Sequence, residues 1–179
     1  MEKYILLRSL MISLKPIDLS NFEECLALKV HPNQKPFIAS NAYSLSEAYA
    51  LTQHPRDKPI PLGIYYHDTM IGFVFVIYQP INPNDEEDNE NLYFIPRLMI
   101  DTDHQARGYG KKALLHLIEY LKTSPQGPAS SIIISVDLDN TPALNLYESV
   151  GFEPIVGETD DDGDQIYKLI IAWKEPYVY

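Results

Sequence analysis

A chain with one cysteine cannot form an internal disulfide, and Cys25 is the only cysteine among the 179 residues. A cysteine-rich metal site is excluded on the same ground, no metal is expected, and a reducing, cytoplasmic setting fits. Long hydrophobic runs are also missing. No apolar stretch approaches the roughly 20 residues of a membrane span. Met1–Leu10 is apolar but too short for a secretory signal, and it lacks a small-residue cleavage pattern. Basic residues are scarce: 14 Lys and Arg stand against 25 Asp and Glu, a formal net charge of −11. That balance disfavours nucleic acid and anionic membrane surfaces and is compatible with a cationic substrate. There is no internal repeat and no linker long enough to divide domains. With 45% hydrophobic residues, the chain reads as one soluble globular domain over residues 11–173, with Met1–Leu10 as an extension and Met11 as an alternative start.

The stretch Gln105-Ala106-Arg107-Gly108-Tyr109-Gly110-Lys111-Lys112 organises the rest. An apolar run, Leu92 to Ile100, leads into it, with Arg97 as its only charge. Ala113, Leu114, Leu117, Ile118 and Leu121 follow at helical spacing. The eight residues therefore form a strand-to-helix turn. Two glycines let a ligand approach the backbone, and the unpartnered N–H groups of the first helical turn carry the positive end of the dipole. Arg107, Lys111 and Lys112 add charge, which makes a site for a phosphate or diphosphate. A P-loop is excluded, because Gln105 stands where its first glycine would be and Lys112 where its Ser/Thr would be. Gly108, Gly110 and Ala113 do spell G-x-G-x-x-A, and Asp137 ends a later apolar run at a suitable distance. Against a dinucleotide fold, Asp101 to Arg107 separate the strand from the first glycine, and few residues remain for further strand-helix units.

Elsewhere the pattern predicts a strand at 12–17 and a helix carrying Phe22, Cys25, Leu26 and Leu28, capped by Asp18 or Ser20. Cys25 is expected in the core. A second helix is expected over 47–53, started by Ser44 or Ser46. Pro55, Pro59 and Pro61 predict an extended link. Residues 62–67 and 70–79 form a hairpin around Asp68-Thr69. Asp85, Glu86, Glu87, Asp88 and Glu90 make an acidic loop. Residues 131–137 are a buried strand, Pro142 opens a helix, and Gly151 ends it in a left-handed position. Asp160 to Asp164 is a hairpin turn, short of the full length and terminal Glu of a calcium loop. Gln165 to Trp173 is the last strand. The fold class is mixed α/β.

Gln105-x-x-Gly108-x-Gly110 after a strand resembles the acyl-CoA motif of the GNAT family of N-acetyltransferases. Asn140-Thr141-Pro142-Ala143-Leu144-Asn145-Leu146-Tyr147-Glu148-Ser149-Val150-Gly151-Phe152 resembles the family's second hallmark. Asn33-Gln34 through Ala39-Ser40, Leu62 to Tyr66, Ile71-Gly72-Phe73 and the acidic loop are most like bacterial spermine/spermidine and diamine acetyltransferases. The resemblance implies a mostly antiparallel twisted sheet flanked by about four helices. It implies acetyl-CoA as acetyl donor and a small cationic amine as acceptor, a polyamine first, with a peptide amine or an aminoglycoside as alternatives. A non-catalytic CoA- or nucleotide-binding regulatory module is the reading from another class, and a homodimer is compatible.

Residue by residue, the resemblance implies that Gln105, Ala106, Arg107, Gly108, Tyr109, Gly110 and Lys111 hold the diphosphate. It places oxyanion-binding N–H groups in Leu98, Met99 and Ile100, has Asn140 contact the cofactor arm, and makes Tyr147 the general acid. Asn140 also reads as a helix cap, and Tyr147 as a core aromatic. The family's glutamate base falls at Ser135, which cannot serve. Asp137, a carboxylate of the acidic loop or a water chain stays open as proton acceptor.

Overall fold

The computed structural model describes residues 12–85 and 88–171. The expectations on Met1–Leu10, Met11, Glu86, Glu87 and Trp173 lie outside them. Seven strands form one sheet: β1 (Ile12–Pro16), β2 (Lys58–Tyr66), β3 (Thr69–Gln79), β4 (Leu92–Ile100), β5 (Ser131–Val136), β6 (Glu153–Thr159) and β7 (Gln165–Ile170). Their order is β1-β2-β3-β4-β5-β7-β6, and every pairing is antiparallel except β4 with β5. The helices are α1 (Phe22–Ala27), α2 (Asn41–Leu51), α3 (Tyr109–Leu121) and α4 (Thr141–Glu148), with short 3-10 turns at Pro32–Phe37 and Thr102–His104. The order of elements is the one the sequence predicts.

The middle strand, β3, is buried along nearly its whole length, because helices cover both faces. Its alternating side chains divide between two cores. Val74 and Val76 pack with Ala113, Leu114, Leu117 and Leu121 of α3. Phe73, Phe75 and Ile77 pack with Cys25 of α1 and Ala48 of α2. Cys25 is fully buried, and burial pushes its thiol up to about 12, so it is a packing residue.

β4 and β5 run side by side only from Leu92↔Ser131 to Ile95↔Ile134. The cause sits in β4. Phe75 pairs with Arg97 and Ile77 with Phe94, so Val76 faces both Ile95 and Pro96 across a bulge. Bulges bend a strand, and Pro96 has no N–H with which to extend the parallel ladder. The two strands part there. Gly72 permits close pairing on the other side, since a Cβ would lie 2.4 Å from the Met99 carbonyl oxygen.

Some boundaries differ from expectation. α2 starts at Asn41, with Ser40 as its cap accepting from the Tyr43 N–H at 3.2 Å. Ser44 and Ser46 lie inside the helix and bond back to the carbonyls of Ser40 and Ala42. α1 is preceded by Asn21; Asp18 instead accepts from the backbone and hydroxyl of Ser20 within the preceding turn. The link at Pro59 and Pro61 belongs to β2. The Pro61 carbonyl accepts from the Ile17 N–H at 3.1 Å. Both prolines thus turn their nitrogens to the side where β1 ends, and only the return bond from residue 61 to Ile17 is missing. The β2–β3 turn is His67-Asp68 rather than Asp68-Thr69, with His67 at a φ of 57°.

Candidate active site

Where β4 and β5 part, a cleft of about 1050 Å³ runs between the two faces of the sheet. One wall is the turn before α3 together with α4. The other is the 3-10 turn at Pro32–Phe37 and α2, and the β6–β7 hairpin turn closes the end. Six carboxylates line it, from Glu47, Asp137, Asp160, Asp161, Asp162 and Asp164, against the cations Lys35 and Arg97. Arg97 is already paired with Glu47 and lies against the Tyr43 ring, 5.2 Å from its centroid. The net negative charge therefore comes from the aspartates.

The glycine turn alternates backbone hand. Ala106 has a φ of 59° and Gly108 of 73°, a pattern that turns successive N–H groups toward one concavity. α3 begins directly after Gly108, with no side-chain cap and no acid in its first turn. A Cβ on Gly108 would meet nothing within 4 Å, whereas one on Gly110 would touch Leu146 at 3.6 Å. Gly108 is thus required for its conformation, and Gly110 forms the floor. At the start of the turn, His104 Nδ1 is buried without a hydrogen-bond partner, 3.5 Å from an Asp101 carboxylate oxygen. Arg107 is exposed and has no ionic partner among the described residues. Lys111 Nζ donates to the Ser149 carbonyl at 3.2 Å and joins the turn to the end of α4. Tyr109 packs its ring on Tyr66, centroids 4.8 Å apart. These features fit a diphosphate. The Gln105 side chain differs from the rest: its amide is engaged by Gln34 and by the Ile100 carbonyl, so only its backbone is open to a ligand.

Leu98, Met99 and Ile100 line the cleft where β4 has lost β5. They are not equivalent. The Asp101 N–H donates to the Ile71 carbonyl at 2.8 Å, which sets the alternation of the antiparallel ladder. Met99, paired with Phe73, turns its N–H into the sheet. Leu98 and Ile100 turn theirs to the cleft.

Tyr147 is placed by the end of its helix. The Gly151 N–H bonds the Glu148 carbonyl, and the Phe152 N–H bonds the Tyr147 carbonyl. With Gly151 at a φ of 99°, this is the left-handed helix ending expected from the sequence. Phe152 then lies on the Tyr147 ring, centroids 6.0 Å apart. The Tyr147 side chain lines the cleft yet is only 7% exposed, and its hydroxyl makes no hydrogen bond among the described residues. Burial pushes its phenol well above the ordinary tyrosine range, so it holds its proton at any physiological pH. Asn140 caps α4, accepting from the Ala143 N–H at 3.4 Å, and also lines the cleft.

The sequence offers Asp137 as a proton acceptor and Asp160 to Asp164 only as a hairpin turn; the structure brings the two together at one end of the cleft. Asp137 caps the following turn, accepting from the Asp139 N–H at 2.8 Å, and also faces the cleft. Extending the register Val136↔Gln165 puts it opposite Asp164. The Asp164 carboxyl is raised by burial, then by Asp160, Asp137 and Asp162. The acidic loop lies elsewhere, around a small cavity of about 180 Å³ lined by Arg56, Asp88 and Glu90. Among the described residues no cluster of three or more His, Cys, Asp or Glu is placed to hold a metal ion.

Residues 24–152 match the Acetyltransferase (GNAT) family. The chain belongs to the GNAT acetyltransferase family. Acetyl-CoA is therefore its acyl donor. This acetyltransferase is 30% identical over 156 residues to the spermine/spermidine N(1)-acetyltransferase of Bacillus subtilis (strain 168), covering 87% of this chain and 95% of that one. It shares its fold with the ribosomal-protein-S18-alanine N-acetyltransferase from Escherichia coli, at 20% identity and a TM-score of 0.59 over 94% and 99% of the two chains. The spermidine N-acetyltransferase from Vibrio cholerae, solved with CoA and spermine, shows the same fold at 16% identity and a TM-score of 0.58 over 91% and 96%. No helix among the described residues is long and apolar enough to cross a membrane.

Proposed function

We propose that this acetyltransferase acetylates a primary amine of a small polycation such as spermidine or spermine. The observation that carries the reading is the polarity of the cleft: an uncapped helix start with no acid in its first turn at one end, five unpaired aspartates at the other, and Tyr147 lining the cleft with them. The names of the Bacillus subtilis and Vibrio cholerae relatives support it, and the net charge of −11 speaks against nucleic acid as a partner.

Acetyl-CoA supplies an acetyl thioester. The backbone from Gln105 to Lys111 holds its diphosphate, and Asn140 borders its arm. The Leu98 and Ile100 N–H groups receive the charge that develops on the carbonyl oxygen. Asp137, Asp160, Asp162 and Asp164 draw in the cationic acceptor. An alkylamine has a reference pKa near 10 and arrives protonated. Asp164, with its raised pKa, is the best-suited group of the four to take that proton, directly or through water. The new C–N bond forms as the C–S bond breaks; Tyr147 gives its proton to the departing sulfur, and the second proton, lost from the acetylated nitrogen, restores the phenol.

A panel of spermine, spermidine, a diamine, a peptide with a free amino terminus and an aminoglycoside tests this by mass detection of acetylated product. Polyamines should react best, and their kcat/KM should fall with ionic strength, because attraction between separated charges is screened over about 8 Å at physiological salt. Acetylation of the peptide or the aminoglycoside, with no polyamine product, would reject the acceptor and leave the family standing.

A further inference from the structure

Gln34 and Gln105 stand 71 residues apart and clasp each other through both amides. Gln105 Nε2 donates to Gln34 Oε1 at 2.9 Å, and Gln34 Nε2 donates back to Gln105 Oε1 at 3.1 Å. Each amide has a further commitment. Gln34 Oε1 accepts from the His31 N–H at 3.0 Å, which closes the 3-10 turn. Gln105 Nε2 donates to the Ile100 carbonyl at 2.8 Å, at the end of β4. One line of hydrogen bonds thus runs from the wall opposite the glycine turn, through Gln105, to the strand that presents the Leu98 and Ile100 N–H groups.

What the clasp holds needs holding. Ala106, next to Gln105, sits at a φ of 59°, a region unfavourable for a residue with a Cβ and kept only where the surroundings impose it. Past Ala106 the turn is exposed until Tyr109 packs on Tyr66. The Gln105 amide is its anchor on the strand side, and Gln34 supplies both partners of that amide other than the Ile100 carbonyl. We propose that Gln34 is a positioning residue for acetyl transfer: by holding Gln105 it keeps the glycine turn in its diphosphate-binding conformation. This rests on the reading that the turn holds the cofactor.

The test is CoA affinity by calorimetry, together with steady-state kinetics, on Gln34→Ala, Gln34→Glu, Gln105→Ala, the double Ala variant and Gly108→Val. Removing the two clasp bonds should weaken CoA binding roughly tenfold. KM for acetyl-CoA should rise with it, while kcat at saturation stays within about twofold, since the transferring groups are untouched. Gln34→Glu keeps the acceptor for His31 and Gln105 but sets a carboxylate oxygen against Gln105 Oε1 in place of the donor, so it too should weaken CoA binding about tenfold. It also serves if the Ala variant fails to fold. The double variant should bind no more weakly than Gln105→Ala alone, because both changes remove one shared contact. Costs that add in the double variant would overturn the proposal, and so would a folded Gln34→Ala with wild-type CoA affinity. In that second case Gly108→Val tells the two readings apart. If it weakens CoA binding, only the clasp fails; if it too binds normally, the assignment of the cofactor to the turn fails with it.

Discussion

Glu90 and Asp164 are both half-buried carboxylates, and their surroundings push them in opposite directions. Burial works against the charge on each. At Glu90 it is outweighed by Lys168 and by the hydroxyls of Ser130 and Ser131, which donate to the carboxylate and hold it below the ordinary range. At Asp164 it is reinforced by Asp160, Asp137 and Asp162, and no basic side chain pairs with any of the four among the described residues. Glu90 is thus a neutralised structural joint between β4, β5 and β7, and Asp88 beside it is paired to Arg56. The hairpin turn at Asp160–Asp164 holds like charges together on a cleft wall. A polycation bound there would relieve the repulsion, and one bound at Glu90 or Asp88 would have to displace Lys168 or Arg56. Acidity alone does not mark a cation site; uncompensated acidity beside a reactive cleft does.

Substitution at Tyr147 isolates the chemistry from the attraction. Tyr147→Phe keeps the ring that packs on Phe152 and removes only the proton. The catalytic constant should fall by about 10²–10⁴, the usual worth of general acid catalysis, while KM for spermidine holds. Wild-type turnover would reduce Tyr147 to a core residue. Next in size is the triple change Asp160→Asn, Asp161→Asn and Asp162→Asn, which removes charge from the cleft wall and spares the proton acceptor Asp164. Exposed charge pairs contribute about 0.2–1 kcal/mol each, so KM for spermidine should rise about tenfold and its salt dependence should flatten. The paired change Asp85→Asn with Asp88→Asn should leave both unchanged. If the loop variant alters KM as much as the turn variant, the distinction between the two regions is wrong.

Much of this arrangement is legible in the chain, and the remainder has a physical reason for being hidden. The order of elements follows from local periodicity. The ending of α4 follows from Gly151 and Phe152, because a left-handed glycine and the apolar residue after it act within one turn of helix. The start of α2 is ambiguous in the sequence because Ser40, Ser44 and Ser46 are equally good caps by residue type; only the bond from the Tyr43 N–H to Ser40 decides. Pro59 and Pro61 read as a link because proline weakens a strand interior, and what rescues them is that β1 stops at Pro16, opposite Leu62. Of the two acidic runs, the turn at Asp160–Asp164 lines the cleft and the described residues of the loop at 85–90 do not. Both are short, acidic and loop-like, and which of them meets the cleft depends on β7 pairing with β5 so that Asp164 comes opposite Asp137. That is a long-range register, and no local pattern encodes it. The Gln34–Gln105 clasp is hidden for the same reason.

Glu90→Gln is the smaller test, read on stability. The change keeps shape and removes the charge that Lys168 and the two serine hydroxyls share, at a cost of about 1–3 kcal/mol for a charged hydrogen-bonded group. The sign follows from the lowered carboxyl. Its contribution is present above the ordinary carboxylate range and is lost as pH falls through the folded-state value. Wild type and variant should therefore differ in melting temperature at pH 7 and converge in acid.

Asp164→Asn should show the opposite behaviour and the smallest effect. The folded-state pKa of Asp164 is raised, so its protonated form is favoured by folding. The linked stability is present below the ordinary carboxylate range and is lost as pH rises through the folded value. At pH 7 the wild type therefore carries an unfavourable charge beside Asp137, Asp160 and Asp162 that the variant lacks. Its backbone N–H, which donates to Asp160 Oδ1 at 2.9 Å, survives the substitution. The variant should be more stable than wild type at neutral pH by a few tenths of a kcal/mol, the scale of an exposed charge interaction. The gain should shrink with added salt and vanish in acid, and added spermine should stabilise wild type more than the variant. Thermal melts of both proteins at two pH values, with and without spermine, measure all of this. A variant that is less stable at pH 7 would mean that Asp164 makes a favourable contact, and the hairpin turn would then be a second structural joint like Glu90.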